Sequence, residues 1–290
     1  GAAGDRCRRR PGDRGLALVV PHDGEVAGGG FGTVRPRRAA GGAAADYVER
    51  LYGDAAIVKM GGVPNLAPGA AASAYSVPGL ADLATNAETQ ALRASVRNPD
   101  LRIIMTVSEG LYRLVGRKSA GIAKIADLKG KRIATIPGTS SGYFLHKLLK
   151  TVGLTLADVT VVPVMPLSDM PRMLAERKVD AVTIWEPEME NAAEAIGTDA
   201  IEFSGKGIYR EVFNLNSSAA VLADPAKRKR VVQFVRAVID ASADIRAKPS
   251  LAWRQVEAVG SYKQPVIEKA WPHHSFPARL EPDLLDVMVE

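Results

Sequence analysis

Pro137-Gly138-Thr139-Ser140-Ser141-Gly142 sets three hydroxyls between two glycines. Small residues let a backbone come close to a ligand and hydroxyls donate to oxyanions, so the run suits an anion-binding turn or an ordinary capped helix start. Thr85, Asn86 and Thr89 form a comparable polar set earlier in the chain, and Ser108-Glu109-Gly110 forms another. Carboxylates recur beside these runs at Glu88, Glu109, Glu186 and Glu188. They are expected to be solvated rim acids, or else partners of an amine on a ligand. Trp185 offers an aromatic face for stacking, for a cation, or for core packing.

Catalytic constellations are scarce. The four histidines, His22, His146, His273 and His274, show no metal-ligand spacing, and no G-x-S-x-G nucleophile elbow occurs. His146 is expected on a solvated helix face and His273-His274, after Pro272, on a surface turn. The single cysteine, Cys7, excludes a disulfide within the chain and any CxxC site. No acid/base pair, metal or cofactor is expected, and the polar groups on offer suit reversible binding rather than turnover.

These residues fall where strands turn into helices. Apolar runs at 56–59, 80–85 and 101–107, then at 132–136, 160–164 and 180–185, alternate with helical stretches at βαβ spacing. The two triplets resemble each other, and two similar α/β units suggest two lobes. Phe144, Leu145, Leu148, Leu149 and Val152 follow the hydroxyl run as the stripe of an amphipathic helix. A second helix is expected over 170–177, with Ser168 or Asp169 as its cap and Pro171 in its first turn. Asp224-Pro225 opens a helix of about 22 residues that Lys248-Pro249 stops, and the remaining C-terminal stretches read as helices covering the sheet. In open α/β sheets ligands bind beyond the carboxyl ends of strands, against helix N-termini, which is where the polar runs lie.

The 290 residues are 47% hydrophobic and 24% charged, the balance of a globular chain of about two domains. No run approaches 18 consecutive apolar residues, so no transmembrane helix is expected. Of the net charge of +6, residues 1–38 contribute eight arginines against four acids. The rest is nearly neutral and has no basic stripe with interleaved aromatics, which excludes nucleic-acid binding. Residues 1–45 hold 11 of the 27 glycines and read as an irregular segment with one strand at Leu16-Ala17-Leu18-Val19-Val20.

From 121 to 197 the stretches ADLKGKRIA, PGTSS, GLTLADVTVVPV and VDAVTIWEP occur in order. Together they resemble the ABC-transporter substrate-binding proteins of the nitrate/sulfonate/taurine and thiamine-pyrimidine-precursor group. ADLATNAETQALRA, NPDLRIIMTV and NLNSSAAVLADPAKRKRVVQFVRAVIDAS extend the resemblance over about 46–250. It implies an α/β, two-lobed periplasmic-binding-protein fold of type II, with 46–110 and 212–290 in lobe 1 and 111–211 in lobe 2. Crossovers are expected near 108–116 and 212–218, with hinge closure on a ligand.

The resemblance implies ligand contacts from Thr85, Asn86 and Glu88; from Ser108, Glu109 and Gly110; from Thr139, Ser140 and Ser141; and from Trp185 and Glu186. Asn214 and Asn216, on the return crossover, are further candidates. It also implies a monomer outside the cytoplasm, periplasmic or tethered, that binds a small anionic or zwitterionic solute and delivers it to an ABC permease. Residues 21–45 depart from the family's apolar-aromatic first ligand loop. The rival readings are an enzyme of thiamine-pyrimidine-precursor metabolism on the same fold, with His146 or His22 reactive, and a sensory domain.

Overall fold

The computed structural model describes residues 17–19, 56–57, 63–66, 81–260 and 262–289. His22, the loop at 21–45 and the arginine-rich tail lie outside these residues. Along the chain run β1 (Ala17–Val19), β2 (Ala56–Ile57), β3 (Leu83–Ala87), α1 (Glu88–Ser95), β4 (Leu101–Leu111) and β5 (Arg113–Arg117). Then come β6 (Arg132–Thr135), α2 (Ser140–Lys150), β7 (Thr160–Pro163), α3 (Asp169–Ala175), β8 (Ala181–Ile184), α4 (Glu188–Ile196) and β9 (Ala200–Ser204). The chain continues with β10 (Arg210–Ser218), α5 (Ala219–Ala223), α6 (Pro225–Ala247), α7 (Ser250–Gly260), α8 (Gln264–Ala270), β11 (His274–Ser275) and α9 (Leu284–Val289).

The strands form two sheets, ordered β11-β4-β10-β3-β1-β2 and β7-β6-β8-β5-β9. In the first, β3-β1-β2 are parallel; in the second, β8-β6-β7 are parallel in the same third-first-second order. This is the repeat that the two sequence triplets announce. Each parallel trio is flanked by antiparallel strands that carry the chain between sheets. The outward passage is a single residue, Tyr112, between β4 and β5, and the return lies at 205–209, between β9 and β10. The return was expected at 212–218, but those residues sit inside β10, paired with both β3 and β4. Ser108, Glu109 and Gly110 likewise do not end a strand: β4 continues through them to Leu111.

Packing follows the periodicity. On the first sheet, Leu83, Met105 and Leu215 meet Val231, Phe234 and Val238 of α6. The i, i+3, i+7 spacing of those three helix residues puts them on one face. Asp224 caps this 23-residue helix, accepting from the amides of Ala226 (2.8 Å) and Lys227 (3.1 Å), with Pro225 at its first position. On the second sheet, Phe144, Leu145, Leu148 and Leu149 of α2 are fully buried with Leu114, Ile133 and Ala181. Each such side chain contributes about 1.5–3 kcal/mol, enough to fix α2 and the turn before it. β3 begins three residues later than its apolar run and extends to Ala87, so Asn86 lies within the strand and Glu88 opens α1.

Candidate functional site

The turn from β6 into α2 is held by its own hydroxyls. Thr139 is the N-cap of α2 by position, yet its side chain caps nothing; Oγ1 donates back to the Ile136 carbonyl at 2.8 Å. Ser141 Oγ accepts from Thr135 Oγ1 (3.0 Å) and lies 3.0 Å from Thr139 Oγ1. Ser140 Oγ shares a 2.8 Å hydrogen bond with the Tyr112 hydroxyl. All three residues are buried, and each hydroxyl is engaged with the protein's own groups. What the turn presents without a side-chain cap is the set of leading α2 amides. Gly142 permits this geometry: a Cβ there would lie 2.9 Å from the Ile136 carbonyl oxygen.

Of the four expected rim acids, Glu88, Glu186 and Glu188 are buried and Glu109 is half-buried. Glu88 is 2% exposed, and its carboxylate accepts from the Tyr209 hydroxyl and the Val212 amide (3.0 Å). Burial pushes the Glu88 carboxyl above its usual range against the pull of those donors. Burial, with Glu88 and Glu211 nearby, likewise raises the Tyr209 hydroxyl. Glu186 accepts from Arg113 Nε at 2.7 Å, while the same guanidinium reaches Glu190 (2.7 Å) and Glu202 (2.6 Å). Burial pulls Arg113 down, but the three carboxylates outweigh it and hold the cation. Glu188 accepts from Tyr262 (3.1 Å) and Asn191 (3.2 Å). These acids are inside because each has donors within reach.

The remaining candidates divide by place. Asn86 turns inward and accepts from the Val63 amide at 2.7 Å, and Thr85 is buried beside it on β3. Asn214 accepts from Thr106 (2.8 Å), and Asn216 donates to the Ala84 carbonyl (3.2 Å). This group stitches the first sheet. Ser108 pairs with Phe213 in register, and Glu109 holds Arg210 (3.2 Å) and Ser275 (2.6 Å). Gly110, Trp185 and Glu186 border a cavity of about 20 Å³ at the crossing, with Tyr112, Glu211, His273 and His274. That is room for about one water, too small for an organic solute. Burial pulls His274 down and keeps it neutral at pH 7.

Ser140 and Glu88 are therefore linked through Tyr112 and Tyr209, whose ring centroids lie 5.4 Å apart. Sequence reasoning missed both tyrosines, Arg113, and the α1 side chains of Gln90 and Arg93, which reach across to the Gly138 carbonyl. One signal was available: a lone arginine inside the β-run at 113, with acids spaced i, i+4 at 186 and 190, asks for pairing. His146 is exposed beside Tyr143, as expected. Among the described residues no helix is long and apolar enough to cross a membrane.

Three comparisons bear on this arrangement. The periplasmic aliphatic sulphonate binding protein SsuA of Escherichia coli superposes with a TM-score of 0.66 at 16% identity, over 84% of this chain and 82% of that one. The desulfurization enzyme DszB superposes at 0.54 and 16% identity, over 94% and 89%. At this identity the likeness is one of fold: two lobes, each a sheet flanked by helices, mixed rather than mainly parallel because antiparallel strands border each parallel trio. A proposed binding protein of Brucella abortus is 39% identical over 67 residues, 23% of this chain. The match spans only about a fifth of that relative's length, 21%. The family model described as NMT1/THI5 like matches residues 63–252, about two thirds of the sequence, and the chain belongs to that family.

Proposed function

We propose that this chain is the solute-binding component of an ABC importer, holding a small anionic or zwitterionic organic solute between its two lobes. The observation that carries this reading is the N-terminus of α2, whose leading amides take no side-chain cap among the described residues. Three residues able to cap it, Thr139, Ser140 and Ser141, all turn their hydroxyls elsewhere. Free helix-start amides and the positive end of the helix dipole favour a carboxylate, sulfonate or nitrate. The turn stands at the seam between the lobes, facing α1 across it. Such a protein works outside the cytoplasm as a monomer and hands its solute to a membrane permease. The sulphonate-binding fold neighbour supports a solute of the sulfonate, taurine or nitrate kind. The second reading, a binding protein for a thiamine-pyrimidine precursor, is supported by membership of the NMT1/THI5-like family.

The test is calorimetric titration and thermal shift with alkanesulfonates, taurine, nitrate, aromatic carboxylates and aminopyrimidines. A solute at 100 times its Kd should stabilise the fold by about 2.7 kcal/mol. Saturable 1:1 binding without consumption of the solute supports a carrier. Chemical conversion of a bound solute overturns it in favour of an enzyme, and a folded chain that answers to none of the panel overturns the proposed solute class.

A further inference from the structure

We propose that Gln90 and Arg93 form a latch across the mouth between the two lobes, and that this latch sets how far the lobes stand apart before any solute arrives. Both side chains project from α1, three positions apart and so on one face of the helix. Both converge on one acceptor in the other lobe, the carbonyl of Gly138. Gln90 Nε2 donates to it at 2.9 Å, and Arg93 Nη1 donates to the same oxygen. Gly138 has φ +77°, and a Cβ there would lie 2.6 Å from Arg93 Nη1. The positive φ favours glycine at the receiving side, and a side chain there would push the guanidinium off this carbonyl.

Position separates this contact from the others that join the lobes. The Gly205 amide donates to the Tyr112 carbonyl at 2.7 Å, and Tyr209 donates to Glu88. Those two bonds lie on the chain passages and move little when the lobes rotate about them. Further bonds join the lobes beside α4: Tyr262 donates to Glu188 (3.1 Å), and Lys269 reaches Glu194 (2.6 Å) and Glu190 (3.5 Å), the latter also held by Arg113 of the outward passage. Arg93 is five residues beyond Glu88, about 7.5 Å along the helix axis. A rotation that spares the pivot breaks the bonds to Gly138. Gln90 is half-buried and Arg93 exposed, so their loss opens no core. Among the described residues Arg93 meets no carboxylate, and the Gly138 carbonyl is the anchor of its guanidinium.

Electron-electron spin resonance distances between labels at Val96→Cys and Lys150→Cys, in a Cys7→Ser background, test the latch in the full chain without solute. Both label sites are exposed. Replacing Gln90→Ala with Arg93→Ala should raise the long-distance population about fivefold, which is about 1 kcal/mol. Arg93→Lys, which keeps a donor, should give a smaller rise; it and the single Gln90→Ala serve if the double variant fails to fold. Distance distributions that are the same in the parent and the folded variants overturn the proposal. So does a parent already as spread as the double variant. The measurement uses no solute, so a failed solute panel leaves its outcome standing.

Discussion

The Tyr112 hydroxyl lies 2.8 Å from Ser140 Oγ, so the residue at which the chain leaves one sheet for the other is bonded to the first residue of α2. Tyr112 is 3% exposed and also donates to Glu211 at 3.3 Å. The passage between lobes and the proposed anion seat are thus one hydrogen-bonded unit. Tyr112→Phe keeps the ring contacts with Phe144 and Tyr209 and removes only the hydroxyl. It should cost about 1–3 kcal/mol, because Ser140 and Glu211 each lose a partner. In a chain of this size that lowers Tm by roughly 2–10 °C, readable by scanning calorimetry. A Tm equal to the parent's would mean that the two bonds contribute nothing to the fold.

Arg113 is held by three carboxylates and is 5% exposed. Arg113→Met leaves Glu186 a buried anion without its cation and Glu190 with only Lys269, at 3.5 Å; breaking a buried pair in this way typically costs about 3–5 kcal/mol. Arg113→Lys should recover only part of this, since a single ammonium cannot replace three guanidinium nitrogens, each aimed at a different acid. Urea denaturation of the two variants checks the order. Adding Glu186→Gln and Glu190→Gln to Arg113→Met should restore stability, because the repulsive charges then disappear.

Much of this fold is legible in the sequence because burial has a period. The α2 stripe, the Asp224-Pro225 helix start and the strands near 133, 161 and 182 all declare themselves by apolar spacing. Even the short β1 appears as Leu16-Ala17-Leu18-Val19-Val20, and it takes a place inside the first sheet. What spacing cannot reveal is a partner far along the chain. Glu88 reads as a rim acid until Tyr209 and Val212, more than 120 residues away, are brought to it. The hydroxyls of Thr139, Ser140 and Ser141 read as ligand donors because their own acceptors, Ile136 and Tyr112, are set by the turn and by topology. The family resemblance places Asn214 and Asn216 on the return crossover, whereas they lie inside β10 and the sheet buries both completely.

Asp180 gives the fold a dependence on acid. Burial pushes its carboxyl up, but hydrogen bonds from Arg132 and the charges of Arg132 and Arg117 pull harder, leaving it below the usual value of 3.8. A folded-state value below the unfolded one stabilises the protein above the unfolded value and is lost as pH falls through the folded one. The stability gap between the parent and Asp180→Asn should therefore be widest at neutral pH and close below about pH 4. Urea unfolding at a series of pH values checks this; a gap that does not change between pH 7 and 3 counts against the pairing.

Gly142 separates the two roles of the turn at α2. A Cβ at this position would meet the Ile136 carbonyl oxygen at 2.9 Å and Pro137 Cα at 3.2 Å, both backbone atoms that cannot swing aside. Gly142→Ala therefore has to shift the first turn of α2, at a cost of about 1–3 kcal/mol in stability. If the leading amides of α2 hold the anionic end of the solute, the displaced turn should also weaken binding by roughly tenfold or more, since aligned donors lose strength steeply with angle. Thr139→Ala makes the contrasting case: it removes the bond from Oγ1 to the Ile136 carbonyl while the amides stay in place. It should lower stability by about 1 kcal/mol and leave affinity within about twofold. Titration calorimetry with the best solute of the panel, run beside urea unfolding of both variants, distinguishes them. Equal losses of affinity in the two would place the anion on the hydroxyl rather than on the amides, because only the hydroxyl is missing from Thr139→Ala.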